Sequence, residues 1–76
     1  MTTVNIRLTT LEDVRRFVNT VTKYDIEIDL CSGRYVVDAK SIMGIFSLDL
    51  LSPIKLTAHT DDTSALFADL KDFIIE

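Results

Sequence analysis

Residues 39–50 read AKSIMGIFSLDL, and this stretch constrains the fold more than any other segment of the chain. Ser41 precedes a short apolar run, and a serine hydroxyl there can accept a hydrogen bond from an unpaired N–H group of a first helical turn. The stretch therefore predicts a short helix over roughly residues 41–48, capped by Ser41. Because one face of so short a helix cannot bury every apolar side chain in it, Met43 and Phe46 are expected to be exposed.

Hydrophobic spacing on both sides of this stretch predicts six further elements. Alternation of apolar and polar residues predicts strands, and Ser32-Gly33 is a turn signal typical of a β-hairpin between the second and third strands. Apolar residues at helical spacing predict a first helix capped by Thr10 and a last helix capped at Thr63. The predicted strands cover residues 4–8, 26–30, 35–38 and 54–60; the two further helices cover residues 11–22 and continue from Thr63 through Ile74.

The resulting order is β-α-β-β-α-β-α. Strands that are apolar on one side only, and helices with a single apolar face, imply two layers. We therefore predict an α+β fold in which a four-stranded antiparallel sheet carries three helices on one face. A ferredoxin-like split βαβ arrangement accounts for the first six elements equally well.

Composition restricts the class of protein. The chain has 76 residues, of which 47% are hydrophobic, and a formal net charge of −4. These values predict one folded domain covering residues 1–76. An acidic chain offers no basic surface for phosphates, so neither nucleic acid nor a membrane is expected as a partner.

Cys31 is the only cysteine, which excludes an internal disulfide and a multi-cysteine metal site. We expect no metal and no cofactor. The first residues lack the features of a signal peptide, and no apolar run is long enough to cross a bilayer. A cytoplasmic location is therefore expected.

The KSIMG string at residues 40–44, followed by Ser-Leu, is similar to the regulatory-serine segment of HPr. HPr is the histidine-containing phosphocarrier family of the bacterial sugar phosphotransferase system. KYD at residues 23–25 resembles the helix-to-strand junction of that family, and KLTA at residues 55–58 also fits. The resemblance implies the family's open-faced β-sandwich, including the seventh element.

The resemblance fails at the residue that defines a phosphocarrier. In the family, a histidine at the start of the first helix accepts the phosphoryl group, and an arginine nearby balances its charge. Counting back without gaps from Lys23 places Thr10 at the histidine, Glu12 at the arginine and Asp13 at the proline that follows. A threonine phosphate is too stable to be passed on, and two carboxylates repel an incoming phosphate. Histidine phosphotransfer is expected to be absent, with Thr10 acting as a helix cap.

The resemblance also implies two functional features around the second helix. Ser41 matches the serine that a dedicated ATP-dependent kinase phosphorylates in many relatives, after which the protein binds a transcriptional regulator of carbon catabolite genes. An unmodified helix cap explains Ser41 equally well. The implied partner-binding patch consists of Ile42, Met43 and Phe46, with Leu48 and Tyr24 as neighbours.

Three functions remain open at this point. The first is a regulatory module that binds proteins of the phosphotransferase or catabolite-regulation type, without catalytic activity, as a monomer or weak dimer. The second is a working phosphotransferase component that uses Thr10, Ser41 or His59 as its acceptor; the TDD sequence after His59 makes a poor phosphate environment. The third is an oligomeric domain of unrelated role, paired through the second helix.

Overall fold

The seven elements follow one another in the predicted order. A computed structural model describes residues 1–75, and its elements are β1 (Thr2–Ile6), α1 (Leu11–Val21), β2 (Ile28–Ser32), β3 (Tyr35–Asp38), α2 (Ile42–Phe46), β4 (Ile54–Ala58) and α3 (Ser64–Asp69).

The four strands form one antiparallel sheet in the order β1-β4-β2-β3. The last strand lies between the first two, with Ile54 opposite Ile6 and Ala58 opposite Ile28. The predicted antiparallel sheet is therefore confirmed. The strand order is not that of a ferredoxin-like sheet, whose inner strands are the first and third.

The core lies between the sheet and the helices. Each helix contributes buried apolar residues: Val14, Phe17 and Val21 from α1, Ile45 from α2 and Leu66 from α3. The Phe17 ring packs edge-to-face on Phe73, with ring centroids 5.8 Å apart, a favoured arrangement for aromatic pairs. The helical apolar spacing read from the sequence thus indicates correctly which faces of the helices turn inward.

The last helix is shorter than predicted. It ends at Asp69, and the chain then runs beside the outer edge of β1. The Arg7 N–H donates to the Phe73 carbonyl at 2.9 Å, and the Ile75 N–H donates to the Asn5 carbonyl at 3.0 Å. The prediction of helix through Ile74 is wrong because pairing with β1 satisfies these backbone groups instead. Phe73 is nevertheless buried, as its spacing indicated.

Other boundaries differ by a few residues. The first strand ends at Ile6 rather than Leu8, although Leu8 is fully buried, and β2 begins at Ile28 rather than Ile26. The predicted second helix and fourth strand are also longer than α2 and β4. The first two predicted strands have the observed length but are displaced by two residues, because side-chain alternation does not fix where ladder hydrogen bonds begin and end.

Candidate functional site

The start of α1 is built around Thr10. Its backbone is extended, with φ −125° and ψ 164°, and its hydroxyl accepts a hydrogen bond from the Asp13 N–H at 3.0 Å. This is the geometry of a helix N-cap, which satisfies one of the unpaired donors of the first turn. The prediction that Thr10 caps the first helix is confirmed.

The Asp13 carboxylate folds back over this helix start. Its Oδ2 accepts a hydrogen bond from the Thr9 hydroxyl at 2.7 Å and another from the Thr9 N–H at 3.2 Å. The Thr9 hydroxyl is the main cause that lowers the pKa of Asp13 below its ordinary value of 3.8, and the Thr9 N–H adds to it. A negative charge also suits the positive end of the helix dipole. The chain's own carboxylate therefore occupies the two Thr9 donors and places a negative charge at this helix start.

Arg16 and Arg7, near this helix start, are engaged with protein groups. The Arg16 guanidinium lies 3.7 Å from Asp13 and 3.5 Å from Asp72, and it stacks over the Phe73 ring at 5.2 Å. Arg7 donates to the Leu51 carbonyl at 3.4 Å. Arg16 thus ties α1, and Arg7 the residues just after β1, to neighbouring segments.

Ser41 caps α2 in the same way. Its hydroxyl accepts a hydrogen bond from the Gly44 N–H at 3.1 Å. Lys40 does not reach this cap, because its ammonium group donates to the Tyr24 carbonyl at 2.7 Å. A Cβ atom on Gly44 would lie 3.2 Å from both the Ser41 hydroxyl oxygen and the Val37 Cβ. Glycine therefore allows the first turn of α2 to lie close against β3.

The outer side of α2 carries exposed apolar side chains. Met43 is 76% exposed and Phe46 is 43% exposed, whereas Ile45 is fully buried. Ile42 is half-buried and lies beside Arg15 and Val18 of α1 in a shallow depression. The predicted exposure of Met43 and Phe46 is confirmed. We refer to Ile42, Met43 and Phe46 as the α2 surface.

Of the two predicted neighbours of this surface, Leu48 is buried and Tyr24 is partly exposed. Leu48 is only 6% exposed and belongs to the core, so assigning it to a partner-binding patch was wrong. The Tyr24 ring is half-buried. Its hydroxyl donates to the Asp69 carboxylate and also lies within hydrogen-bond distance of the Ala65 carbonyl. The bond to Asp69 raises the pKa of Tyr24. Tyr24 therefore links the segment before β2 to α3.

Several exposed apolar residues, among them Leu11 and Leu51, were not identified from the sequence. Leu11 is the first of the apolar residues at helical spacing that predict the first helix, but it is exposed, and so is Leu51 after α2. Leu11 occupies the first position of α1, where the helix has not yet turned its apolar face onto the sheet. Its position at the end of the predicted helix was the one feature of the sequence that could have indicated its exposure.

His59 lies away from both helix caps, just after β4. Its Nε2 is 2.8 Å from Asp29 Oδ2, and both side chains are about one-third exposed. Antiparallel pairing of β2 with β4 brings the two residues together, which sequence spacing alone did not reveal. Within residues 1–75, no group of three histidine, cysteine or acidic side chains is placed to hold a metal ion.

No helix in the described part of the chain combines the length and apolarity needed to cross a bilayer.

The sheet order, the three helices and the two hydroxyl-capped helix starts define an open-faced sandwich of the phosphocarrier type. Residues 13–76 match the PTS-HPr family model, described as the PTS HPr component phosphorylation site. The chain therefore belongs to the HPr family. The match begins after Thr10 and Glu12, so it does not include the start of α1.

Solved structures support the assignment. The crystal structure of HPr-C-His from Thermoanaerobacter tengcongensis is similar with a TM-score of 0.78 and 32% sequence identity, over 95% of this chain and 89% of that chain. The phosphocarrier protein HPr from Bacillus anthracis str. Ames has the same fold, with a TM-score of 0.74 and 24% identity, over 95% of each chain. No curated protein matches this chain.

Thr10→Ala should lower the free energy of unfolding by about 0.5–2 kcal/mol, because the Asp13 N–H loses its cap. Thr63→Ala is the matched control, since Thr63 occupies the N-cap position of α3 without a side-chain cap bond. It should change stability by less than about 0.5 kcal/mol. Urea unfolding measures both, and equal losses in the two variants would contradict this account of the α1 cap.

Asp13→Asn should remove a pH-dependent part of the stability. The folded pKa of Asp13 lies below its ordinary value, so its stabilisation is complete above that value and is lost as pH falls through the folded pKa. The stability difference between wild type and variant should therefore close below about pH 4. Urea unfolding across this range measures it, and Glu12→Gln makes the same charge change in the same turn. A difference that stays constant with pH would contradict the assigned Thr9 contacts.

Proposed function

We propose that this chain is a regulatory, protein-binding member of the HPr family that does not carry out histidine phosphotransfer. The observation that carries the proposal is the Asp13 carboxylate bonded to Thr9 at the start of α1. The position that holds a phosphorylated imidazole in phosphocarriers is here a threonine beside an internal anion.

The chemistry at this helix start opposes phosphoryl transfer. The Thr10 hydroxyl already accepts the Asp13 N–H, and its phosphate ester would not be a reactive donor. A phosphoryl group there would meet Glu12 and Asp13 in the first turn, and like charges at such distances repel. The Thr9 N–H and hydroxyl are already bonded to the Asp13 carboxylate, and the Asp13 N–H is bonded to the Thr10 hydroxyl. Transfer through α1 is therefore unfavourable both in reactivity and in electrostatics.

The α2 surface supports binding to another protein. Met43 is the most exposed side chain of α2, with Phe46 one turn further along the helix. Methionine and aromatic side chains are enriched at protein interfaces, and methionine adapts to differently shaped partners. Because HPr partners are proteins of the phosphotransferase or catabolite-regulation type, we propose that partners of this type, in the cytoplasm, bind the α2 surface.

Ser41 is positioned to control that binding. A phosphate on its hydroxyl would add about −1.5 to −2 charges at a helix start, where the dipole favours an anion. Unlike α1, α2 has no acidic residue in its first turn to repel it. The modification would replace the Ser41–Gly44 bond and place a charge next to Met43. Phosphorylation would therefore add a negatively charged group to a docking surface that is otherwise apolar.

A second function, a transferase component that uses another acceptor, has less support. The His59 ring nitrogen is paired with Asp29, and Asp61 and Asp62 follow it closely. A phosphoryl group on that ring would face carboxylates without a compensating basic group in the same segment.

Intact-mass measurement tests the absence of phosphotransfer. Incubation with phosphoenolpyruvate and the first enzyme of the phosphotransferase system should leave the mass unchanged, while a histidine-bearing HPr gains one phosphoryl group in parallel. Incubation with ATP and the family's serine kinase should add one phosphoryl group, lost in Ser41→Ala and retained in Ser47→Ala, which alters the other end of α2.

An acid-labile phosphoryl group on this chain after the first incubation would overturn the proposed function. A failure of the kinase to modify Ser41 would remove only its regulatory part.

Substitution within the α2 surface tests partner binding. Met43→Asp should weaken binding to the first enzyme of the phosphotransferase system or to the catabolite regulator by about tenfold or more, because a charge replaces a desolvated apolar contact. Val36→Asp places the same charge at another exposed apolar residue, on β3, and should leave binding unchanged. Calorimetric titration measures both. Equal effects of the two variants, or no binding by the wild type, would contradict the proposed surface.

A further inference from the structure

The two edges of the sheet differ. The outer edge of β1 is covered by the segment after α3, whose backbone pairs with Asn5 and Arg7. The other edge is β3, which pairs with β2 on one side and with no strand of residues 1–75 on the other. An uncovered edge presents unpaired N–H and C=O groups and can serve as a template for another strand.

The hairpin register shows which backbone groups are free. The Ala39 N–H donates to the Ile28 carbonyl at 2.9 Å, and Leu30 stands opposite Val37. Hydrogen-bonded pairs alternate along an antiparallel ladder, so residues 35, 37 and 39 bond towards β2. Val36, which lies between them, therefore directs its N–H and C=O away from the sheet.

The side chains along this edge are unusually open for a strand. Tyr35 is 66% exposed and Val36 is 64% exposed, although both are large and apolar. The edge also carries two opposite charges at equal distance from Val36, since Arg34 precedes β3 and Asp38 ends it. Among residues 1–75, neither of these charged side chains forms a salt bridge within the chain.

Residues 34–38 read RYVVD, which is complementary to itself when one copy is reversed. With Val36 opposite Val36 of a second copy, each Arg34 stands opposite an Asp38, and each Tyr35 stands opposite a Val37. Opposite charges and apolar pairs directly across antiparallel strands are favourable. A shift of two residues places Val36 opposite Asp38 and loses both charge pairs. The edge therefore favours one register with a second copy of the same chain.

We propose that two copies of this protein associate through antiparallel pairing of β3, centred on Val36. The dimer has two-fold symmetry, and the same strand forms both sides of the interface. Asp38 Oδ1 accepts the Lys40 N–H, and its Oδ2 is available to the Arg34 guanidinium of the second copy. Because β3 has only four residues, the association is weak and depends on concentration. It uses a different part of the fold from the α2 surface and does not depend on the proposed function.

Sedimentation equilibrium from micromolar to millimolar protein tests the pairing. The average mass of the wild type should rise towards that of a dimer. Arg34→Asp and Asp38→Arg should each remain monomeric, because each places like charges opposite one another. Mixing these two variants should restore a dimer, because the mixed pair has opposite charges at both contacts. Circular dichroism establishes that each variant is folded.

Two further variants separate this interface from other modes of association. Val36→Pro removes an N–H that points away from β2 and should abolish the dimer while the monomer stays folded. Met43→Asp changes the α2 surface and should leave the dimer unchanged. A wild type that is monomeric at millimolar concentration, a mixture that stays monomeric, or a dimer abolished by Met43→Asp would each overturn the proposal.

Discussion

The position of β4 between β1 and β2 is the constraint on which the rest of the structure depends. Its inward side chains, Ile54, Leu56 and Ala58, are fully buried, and both neighbouring strands pair with it along nearly their whole length. Because the chain must reach this central strand last, α1 and α2 connect strands that are not adjacent and cover the same face of the sheet. This arrangement leaves both helix starts at the surface, where a charged group can remain hydrated.

The two helix starts share one capping geometry but differ in electrostatics. Thr10 and Ser41 each accept an N–H from three residues further along. The first turn of α1 contains Glu12 and Asp13, whereas the first turn of α2 contains no acidic residue. An added phosphate is therefore repelled at α1 and favoured by the dipole alone at α2. This difference is the physical basis on which we propose that histidine phosphotransfer is absent and that Ser41 is the regulatory position in this member of the HPr family.

Sequence patterns predicted most of the fold, because its elements have clear periodicity. The order of elements, the hairpin at Ser32-Gly33 and the two hydroxyl caps follow from local residues. The end of α3 could not be predicted, since Phe73 and Ile74 fit helical spacing while β1 offers competing backbone partners. The burial of Leu48 could not be predicted either, because Leu48 follows α2 and packing against the rest of the core decides which way its side chain turns.

In the candidate site, too, some contacts follow from the local sequence and others depend on the assembled fold. The cap by Thr10 is a local pattern, but the bond from Thr9 to the Asp13 carboxylate depends on how the chain enters the helix. The pairs Tyr24–Asp69 and His59–Asp29 join residues distant in sequence, and only the assembled sheet and helices bring them together. Spacing therefore identified the caps but not the groups that surround them.

The central claim is that the chain's own Asp13 carboxylate disfavours the binding of anions at the start of α1. Titration of the ¹⁵N-labelled protein with inorganic phosphate, followed by amide resonances, tests it most directly. The account predicts that the Thr9 and Thr10 amides do not shift at phosphate concentrations that shift the equivalent amides of a histidine-bearing HPr. Saturable shifts of the Thr9 and Thr10 amides in the wild type, as large as those in Asp13→Asn, would contradict it.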